Sequence, residues 1–341
     1  MDFPVEVILF LFLLATALTV ALLEDLFAAA MMTGIFSLLS ACLFTLMDAV
    51  DVAFTEAAVG AGVSTVLFLS TLALTAQREK QHPFTWFPLL LVILTGACLV
   101  TGTLDMPHYG DPKAPIHVHV APEYIAGAER DFGIPNIVTN VLASYRGYDT
   151  FGETVVIFTA SVGVMLLLGH RRRRPGPAHR PTITPEGAAR MRDFAIVRVV
   201  SMGVIPLIVL FGLYVQFHGD FGPGGGFQAG VIIGAAVILY GLIFGLSTLQ
   251  RVVPSPLLET GIALGVLLYG GTGVASLLMG GHYLDYAVFD SDDPKHGRHL
   301  GILLVEGGVG IAVTCAMILI FYSFAGRALA REAFDEGGGG Q

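Results

Sequence analysis

Polar residues are sparse along this chain, and they fall at intervals that leave long apolar runs. The runs cover 5–23, 27–47, 50–76, 84–103, 150–169, 194–217, 227–246, 257–280 and 300–324. A helix needs roughly 20 apolar residues to cross a hydrocarbon core. The runs are continuous rather than alternating, which favours helices over barrel strands. The pattern predicts an all-α, polytopic bundle of about nine transmembrane helices. One shorter element stands out in "NIVTNVLASYR" (136–146), where Ile137, Val138, Val141 and Leu142 share a helical face. It predicts a short helix lying on the membrane surface.

Composition agrees with the pattern. Hydrophobic residues make up 54% of the chain and charged residues 13%, against about a quarter charged in soluble domains. Mean hydropathy is +0.74. The first flank, "MDFPVE", has two acids and no basic residue, unlike a cleaved signal. It places the N-terminus outside and, after nine crossings, the C-terminus inside. That threading leaves 13 of the 18 Lys and Arg residues on the inner side, the expected bias for a multi-pass protein of a cell membrane. The net charge of −9 comes mostly from outer loops and termini, and no nucleic-acid partner is expected.

The chain divides at "HRRRRPGPAHRPTITPEGAARMRD", whose basic, Pro and Gly residues mark a cytoplasmic linker at 170–193. Thr184, Pro185 and Glu186 suit a helix start at its end. A first membrane domain at 1–169 precedes it. A second at 194–326 follows, then a tail at 327–341. Pro206 sits inside the sixth run, where it removes a backbone hydrogen bond and favours a kink.

The stretch "HGDFGPGGGFQAG" (218–230) is unusually rich in glycine. A nucleotide-binding glycine loop needs a strand before it, and here a membrane helix precedes. Gly226, Gly230 and Gly234 recur every four residues, so they share a helix face on which another backbone can pack closely. Gly224 and Gly225 permit the tight turn that leads in. His218 and Asp220 then stand at the mouth of this turn, where an imidazole can titrate near neutral pH.

Carboxylates inside apolar runs are costly and seldom idle. Asp48 and Asp51 lie near the outer end of the third run, where solvation or capping also explains them. Glu56 lies nearly two turns deeper and is the leading candidate for a proton-exchanging group. A regular helix does not place Asp51 and Glu56 on one face, so a relay between them needs a bulge or water. Arg146, Asp149 and Glu153 share a face of an unbroken helix. Thr150 to Glu153 also reads as a capping box, so capping and ion handling both fit. Glu306 lies about two turns inside the last run, with no partner evident. Glu259 and Arg198 lie near inner helix ends and are expected to snorkel.

Other chemistry has little support. His108, His117 and His119 share a Pro/His-rich loop without the further ligands of a metal centre. Cys42, Cys98 and Cys315 form no paired motif and read as small buried residues. No cofactor or metal is expected. The three lysines, Lys80, Lys113 and Lys295, all fall in predicted loops, so a complete Lys/Glu proton relay is not expected within this chain alone.

Two sets of motifs carry a resemblance. "IPLIVLFGLYVQFHG" (205–219), "PGGGFQAG" (223–230) and "EGGVGIAVT" (306–314) resemble MnhB (MrpB), one of the membrane subunits of Mrp-type multisubunit cation/proton antiporters. "DVAFTEAAVGAGVSTVLFL" (51–69) and "IPNIVTNVLASYRGYDTFGETVVIFTA" (134–160) resemble the C-terminal region of the large MrpA protein, the parts called MbhD and MbhE in membrane-bound hydrogenases. The order looks like a fusion of adjacent subunits. The resemblance implies a helical subunit of a complex related to respiratory complex I. It also implies ion transfer at the acids matching Glu56 and Glu153, near antiporter-like partner subunits. Exchange of Na+ for protons across the bilayer is the leading expectation, with Asp149 joining those two acids. A membrane component of a redox-driven, hydrogenase-type complex and a non-transporting scaffold are the alternatives.

Overall fold

The computed structural model describes residues 3–72, 78–79, 85–108, 110–168 and 195–338. The linker at 170–193 and Lys80 lie outside the described residues. So do the side chains of the tail from 327 on.

Nine helices long and apolar enough to cross a membrane are present among the described residues, one for each apolar run. In chain order, α1 (Phe3–Leu22) and α2 (Leu26–Leu46) come first. The third crossing is composite, with α3 (Val50–Thr55), a π-helical segment π1 (Glu56–Val63) and α4 (Ser64–Leu72). Next is α5 (Trp86–Thr103). A surface stretch follows with α6 (Pro115–Val118), α7 (Val120–Gly127), π2 (Ala128–Phe132), α8 (Ile137–Asn140) and π3 (Val141–Tyr145). The last two form the short helix expected there. The crossings resume with α9 (Gly147–Leu168), α10 (Ala195–His218) and α11 (Gly226–Phe244). A short α12 (Leu246–Val252), α13 (Ser255–Leu278), a 3-10 turn (Tyr286–Phe289) and α14 (Pro294–Gly338) complete the chain.

α14 is the central post. It packs against α9, α11, α13 and α4, and both core clusters form around its Ile302, Val305, Val309, Ala312, Ala316 and Ile318. Glycines make the close approaches. A Cβ at Gly230 would lie 2.8 Å from Gly310 O and 2.8 Å from Val313 Cβ. A Cβ at Gly265 would lie 2.6 Å from Gly308 O. At Gly226 it would collide with the Glu306 carbonyl. Three of the spaced glycines, Gly226, Gly230 and Gly234, thus face α14, as the spacing predicted. In lipid there is no hydrophobic drive between helices, so close packing of this kind is one source of their association.

Three of the sequence expectations need correction. The helix of the last crossing begins at Pro294, ahead of its apolar run, so Glu306 sits about three turns from its start rather than two. α9 begins at Gly147, so Thr150 is inside the helix and forms no capping box. Its hydroxyl donates to Leu142 O instead, at 2.8 Å. Cys42 and Cys98 are exposed on the chain's surface, and Cys315 is half-buried against Gly261. Pro206 lies inside its helix, as expected.

α5 has no buried residue. Its apolar side chains face outward on all sides, as a helix in lipid or against neighbouring subunits does.

Candidate functional site

The glycine-rich turn between α10 and α11 positions the site. Gly225 has φ of +122°, a conformation that side chains with a Cβ rarely adopt. Its amide donates to Val215 O at 3.1 Å. A Cβ on Gly224 would lie 2.6 Å from that same carbonyl. The turn is therefore folded back on the end of α10, and it can close this tightly only as glycine.

The surface helix clamps the turn from above. Asn136 Nδ2 donates to Gly219 O at 2.8 Å and to Gly222 O at 2.9 Å. The Asn136 amide donates to Asp220 O at 3.1 Å, and Thr139 Oγ1 to Gly219 O at 2.6 Å. Asn136 Oδ1 meanwhile accepts from Val138 N at 3.0 Å, capping α8. One asparagine thus starts the surface helix and locks the turn beneath it. Asn136 carried no signal in the sequence beyond being a common capping residue.

Below the turn is a cavity of about 580 Å3. Asp51 of α3, Glu153 of α9 and Glu306 of α14 line it, together with Gly224, Gly225, Gly226 and Gln228. Thr139, Thr150 and Thr154 add hydroxyls, and Val52, Leu142, Val156, Ile157, Phe227 and Val309 supply apolar wall. Asp51 Oδ1 accepts from the Gly224 amide at 3.3 Å. Glu306 Oε1 packs against Gly225, 3.2 Å from where a Cβ would sit. Asp51 and Glu306 are half-buried, whereas Glu153 is exposed on the open side of the cavity.

The other sequence candidates lie elsewhere. Glu56 is half-buried at the start of π1 and faces α2, where its Oε1 and Ser37 Oγ crowd over Gly60. The π segment begins only at Glu56, so residues 51–56 stay regular helix and the two acids face different neighbours. Asp149 is exposed and ion-paired with Arg146. His218 stacks on Tyr214 with ring centroids 4.8 Å apart and packs over Gly222. Glu259 and Arg198 are exposed. His108, His117 and His119 are exposed too, and no group of three or more metal-ligating side chains forms among the described residues.

A further pair was missed in sequence. His299 Nε2 lies 2.7 Å from Asp220 Oδ2. The two are 79 residues apart, and no local pattern links them. Close by, Arg130 and Tyr145 hold Asp131. Tyr145 Oη donates to Asp131 Oδ2 at 2.7 Å, and Arg130 Nε donates to Oδ1 at 3.0 Å. The Arg130 hydrogen bonds pull the Asp131 carboxyl down to about 2, and burial pushes the Tyr145 phenol up to about 12. Arg298 Nη1 donates to Asp131 O at 2.7 Å, and Lys295 Nζ to Glu129 O at 3.2 Å. These contacts fix the start of α14 to the surface stretch.

Comparison with known proteins follows the same division of the chain. Residues 196–319 match a domain related to the MnhB subunit of Na+/H+ antiporters. Residues 11–77 match MbhD and residues 89–186 match MbhE, two components of MBH. The B-type component of the Na(+)/H(+) antiporter of Alkalihalophilus pseudofirmus is 34% identical over 133 residues, covering 36% of this chain and 88% of that protein. The chain belongs to the Mrp/Mnh family of antiporter subunits. A probable K(+)/H(+) antiporter protein of Rhizobium meliloti, described as a combined A/B component, is 26% identical over 253 residues, 70% of this chain. A chain in the structure of the Mrp complex from Dietzia sp. DQ12-45-1b superposes with a TM-score of 0.72 at 25% identity, covering 93% of this chain. The chain spans 25% of the Rhizobium protein's length and 34% of the Dietzia chain's. Together with the nine apolar helices, this family makes it a multi-pass membrane protein.

Proposed function

We propose that this chain is one component of a multisubunit antiporter of a cell membrane, exchanging a monovalent cation for protons together with antiporter-like partner subunits. The single observation that supports the reading most is the cavity. Three helices distant in sequence each bring one carboxylate to a largely apolar enclosure, where charge is expensive unless it is exchanged or paired. Asp51, Glu153 and Glu306 are the groups we assign to binding and releasing protons or cations. Glu56, on the α2 side of π1, would serve a separate branch. Asp149 is neutralised by Arg146 in this reading, and His218 acts in packing.

Na+ is the leading cation and K+ the competitor, since relatives named for each are similar to this chain. We propose the N-terminus outside, which turns the glycine turn and cavity toward the outer face. Residues 1–169, 170–193, 194–326 and 327–341 are proposed as membrane domain, linker, membrane domain and tail.

The test is cation-driven proton movement in vesicles holding the native complex, with Asp51→Asn, Glu153→Gln and Glu306→Gln introduced singly. Exchange should fall at least tenfold in Glu306→Gln with normal assembly. Full exchange in all three variants would leave the chain as a scaffold. A second reading, membership of a redox-driven complex, draws on the MbhD and MbhE matches. Iron–sulfur or nickel proteins purifying with the chain would favour it.

A further inference from the structure

We propose that the Asp220–His299 pair is the group that passes protons between the carboxylate cavity and the aqueous phase at the glycine-turn end. The proposal rests on the ion-exchange reading of the cavity. The imidazole is partly exposed, with 45% of its side chain open, whereas Asp220 keeps only 16%. One partner thus faces water and the other faces inward.

Two positions along the chain place the pair close to the cavity. Asp220 belongs to the turn whose Gly224 amide holds Asp51, four residues further on. His299 lies seven residues before Glu306 on α14, which is about two turns and the same face of the helix. The pair therefore stands above both half-buried carboxylates of the cavity. A proton on His299 can move to Asp220 along their 2.7 Å contact, leaving a neutral imidazole and a neutral carboxyl. Water can then carry it to Asp51 or Glu306, restoring the Asp220 carboxylate. Imidazole is the side chain suited to this task near neutral pH.

The neighbouring charges leave the pair to itself. Arg298 and Lys295, on the same helix, are turned to backbone carbonyls of π2. Asp131 of π2 is held by Arg130 and Tyr145. His296 pairs with Asp290, and His218 stacks on Tyr214. The carboxylates of Asp51 and Glu306 remain as the groups facing the pair from the cavity side.

The experiment measures the rate of cation-driven proton exchange by the native complex in vesicles as the pH on the glycine-turn side is varied from about 5.5 to 8.5. Wild type, His299→Gln, Asp220→Asn and Glu306→Gln are compared. Glutamine and asparagine keep a hydrogen bond between positions 220 and 299, so either variant serves if the other fails to assemble. The expected result is a flattened pH profile in both pair variants, with at least a threefold loss of rate at the wild-type optimum. Glu306→Gln should instead lose exchange at every pH. Wild-type profiles in His299→Gln and Asp220→Asn, beside lost exchange in Glu306→Gln, would overturn the entry role and leave the cavity standing. Full exchange in Glu306→Gln, and equally in Asp51→Asn and Glu153→Gln, would remove the cavity reading and this proposal with it.

Discussion

The helix crossing of α11 and α14 sets the geometry of the cavity, and Gly230→Ala perturbs it with a defined size. The added methyl would sit 2.8 Å from Gly310 O and 2.8 Å from Val313 Cβ, where ordinary contact begins near 3.4 Å. One obstacle is backbone, so it cannot rotate away. Thr314 Oγ1 also donates to Gly230 O at 3.0 Å, and separating the helices stretches that bond. Overpacking of this kind costs about 1–3 kcal/mol. Alanine also favours a helix over glycine by up to about 1 kcal/mol, which obscures the cost in a single variant. Gly307→Ala removes that ambiguity, because a Cβ there meets nothing within 4 Å. Both variants gain the same propensity, so their difference isolates the packing cost. The assay is thermal unfolding of the purified complex in mild detergent. Gly230→Ala should melt several degrees below Gly307→Ala, at roughly 2–4 °C per kcal/mol. Equal melting temperatures would refute the claim that backbone contact at these glycines holds α11 against α14.

Other outcomes follow from the same contacts. Asn136→Ala removes the donor to two carbonyls of the glycine turn and should cost about 1–3 kcal/mol, read as lower thermal stability and slower cation exchange. Tyr286→Phe removes the donor to Ala143 O at 2.9 Å and should cost about 1 kcal/mol, seen in the same melting assay without loss of exchange. The depressed Asp131 carboxyl, held at about 2 by Arg130, stabilises the fold above the ordinary carboxylate value near 3.9. That contribution fades as pH falls toward 2. Asp131→Asn should therefore melt lower than wild type at pH 7, with the gap narrowing below about pH 4. A constant gap across that range would contradict the assignment.

Much of the fold was legible in the chain because each crossing needs an uninterrupted apolar run, and backbone satisfaction in lipid leaves helices as the outcome. The contact face of α11 was legible too, since Gly226, Gly230 and Gly234 repeat at four-residue spacing. The start of α9 was misplaced, because Thr150 and Glu153 imitate a capping box while the helix has already begun at Gly147. The π segment after Thr55 has no sequence signature. The cavity was only half legible. Its acids were each visible as charges in apolar runs, but their meeting depends on how α3, α9 and α14 pack. Glu56 and Glu306 each lie about two turns inside an apolar run, so depth alone could not say which of them meets the other acids. The Asp220–His299 pair was invisible for the same reason.

The most direct measurement is proton release when Na+ or K+ is added to the purified native complex in weakly buffered solution. If Asp51, Glu153 and Glu306 give up protons to accept a cation, wild type should release protons on addition of one of these salts but not of an impermeant organic cation. The variant carrying Asp51→Asn, Glu153→Gln and Glu306→Gln together should release none. Undiminished release by that variant, or none by wild type with either salt, would contradict the account.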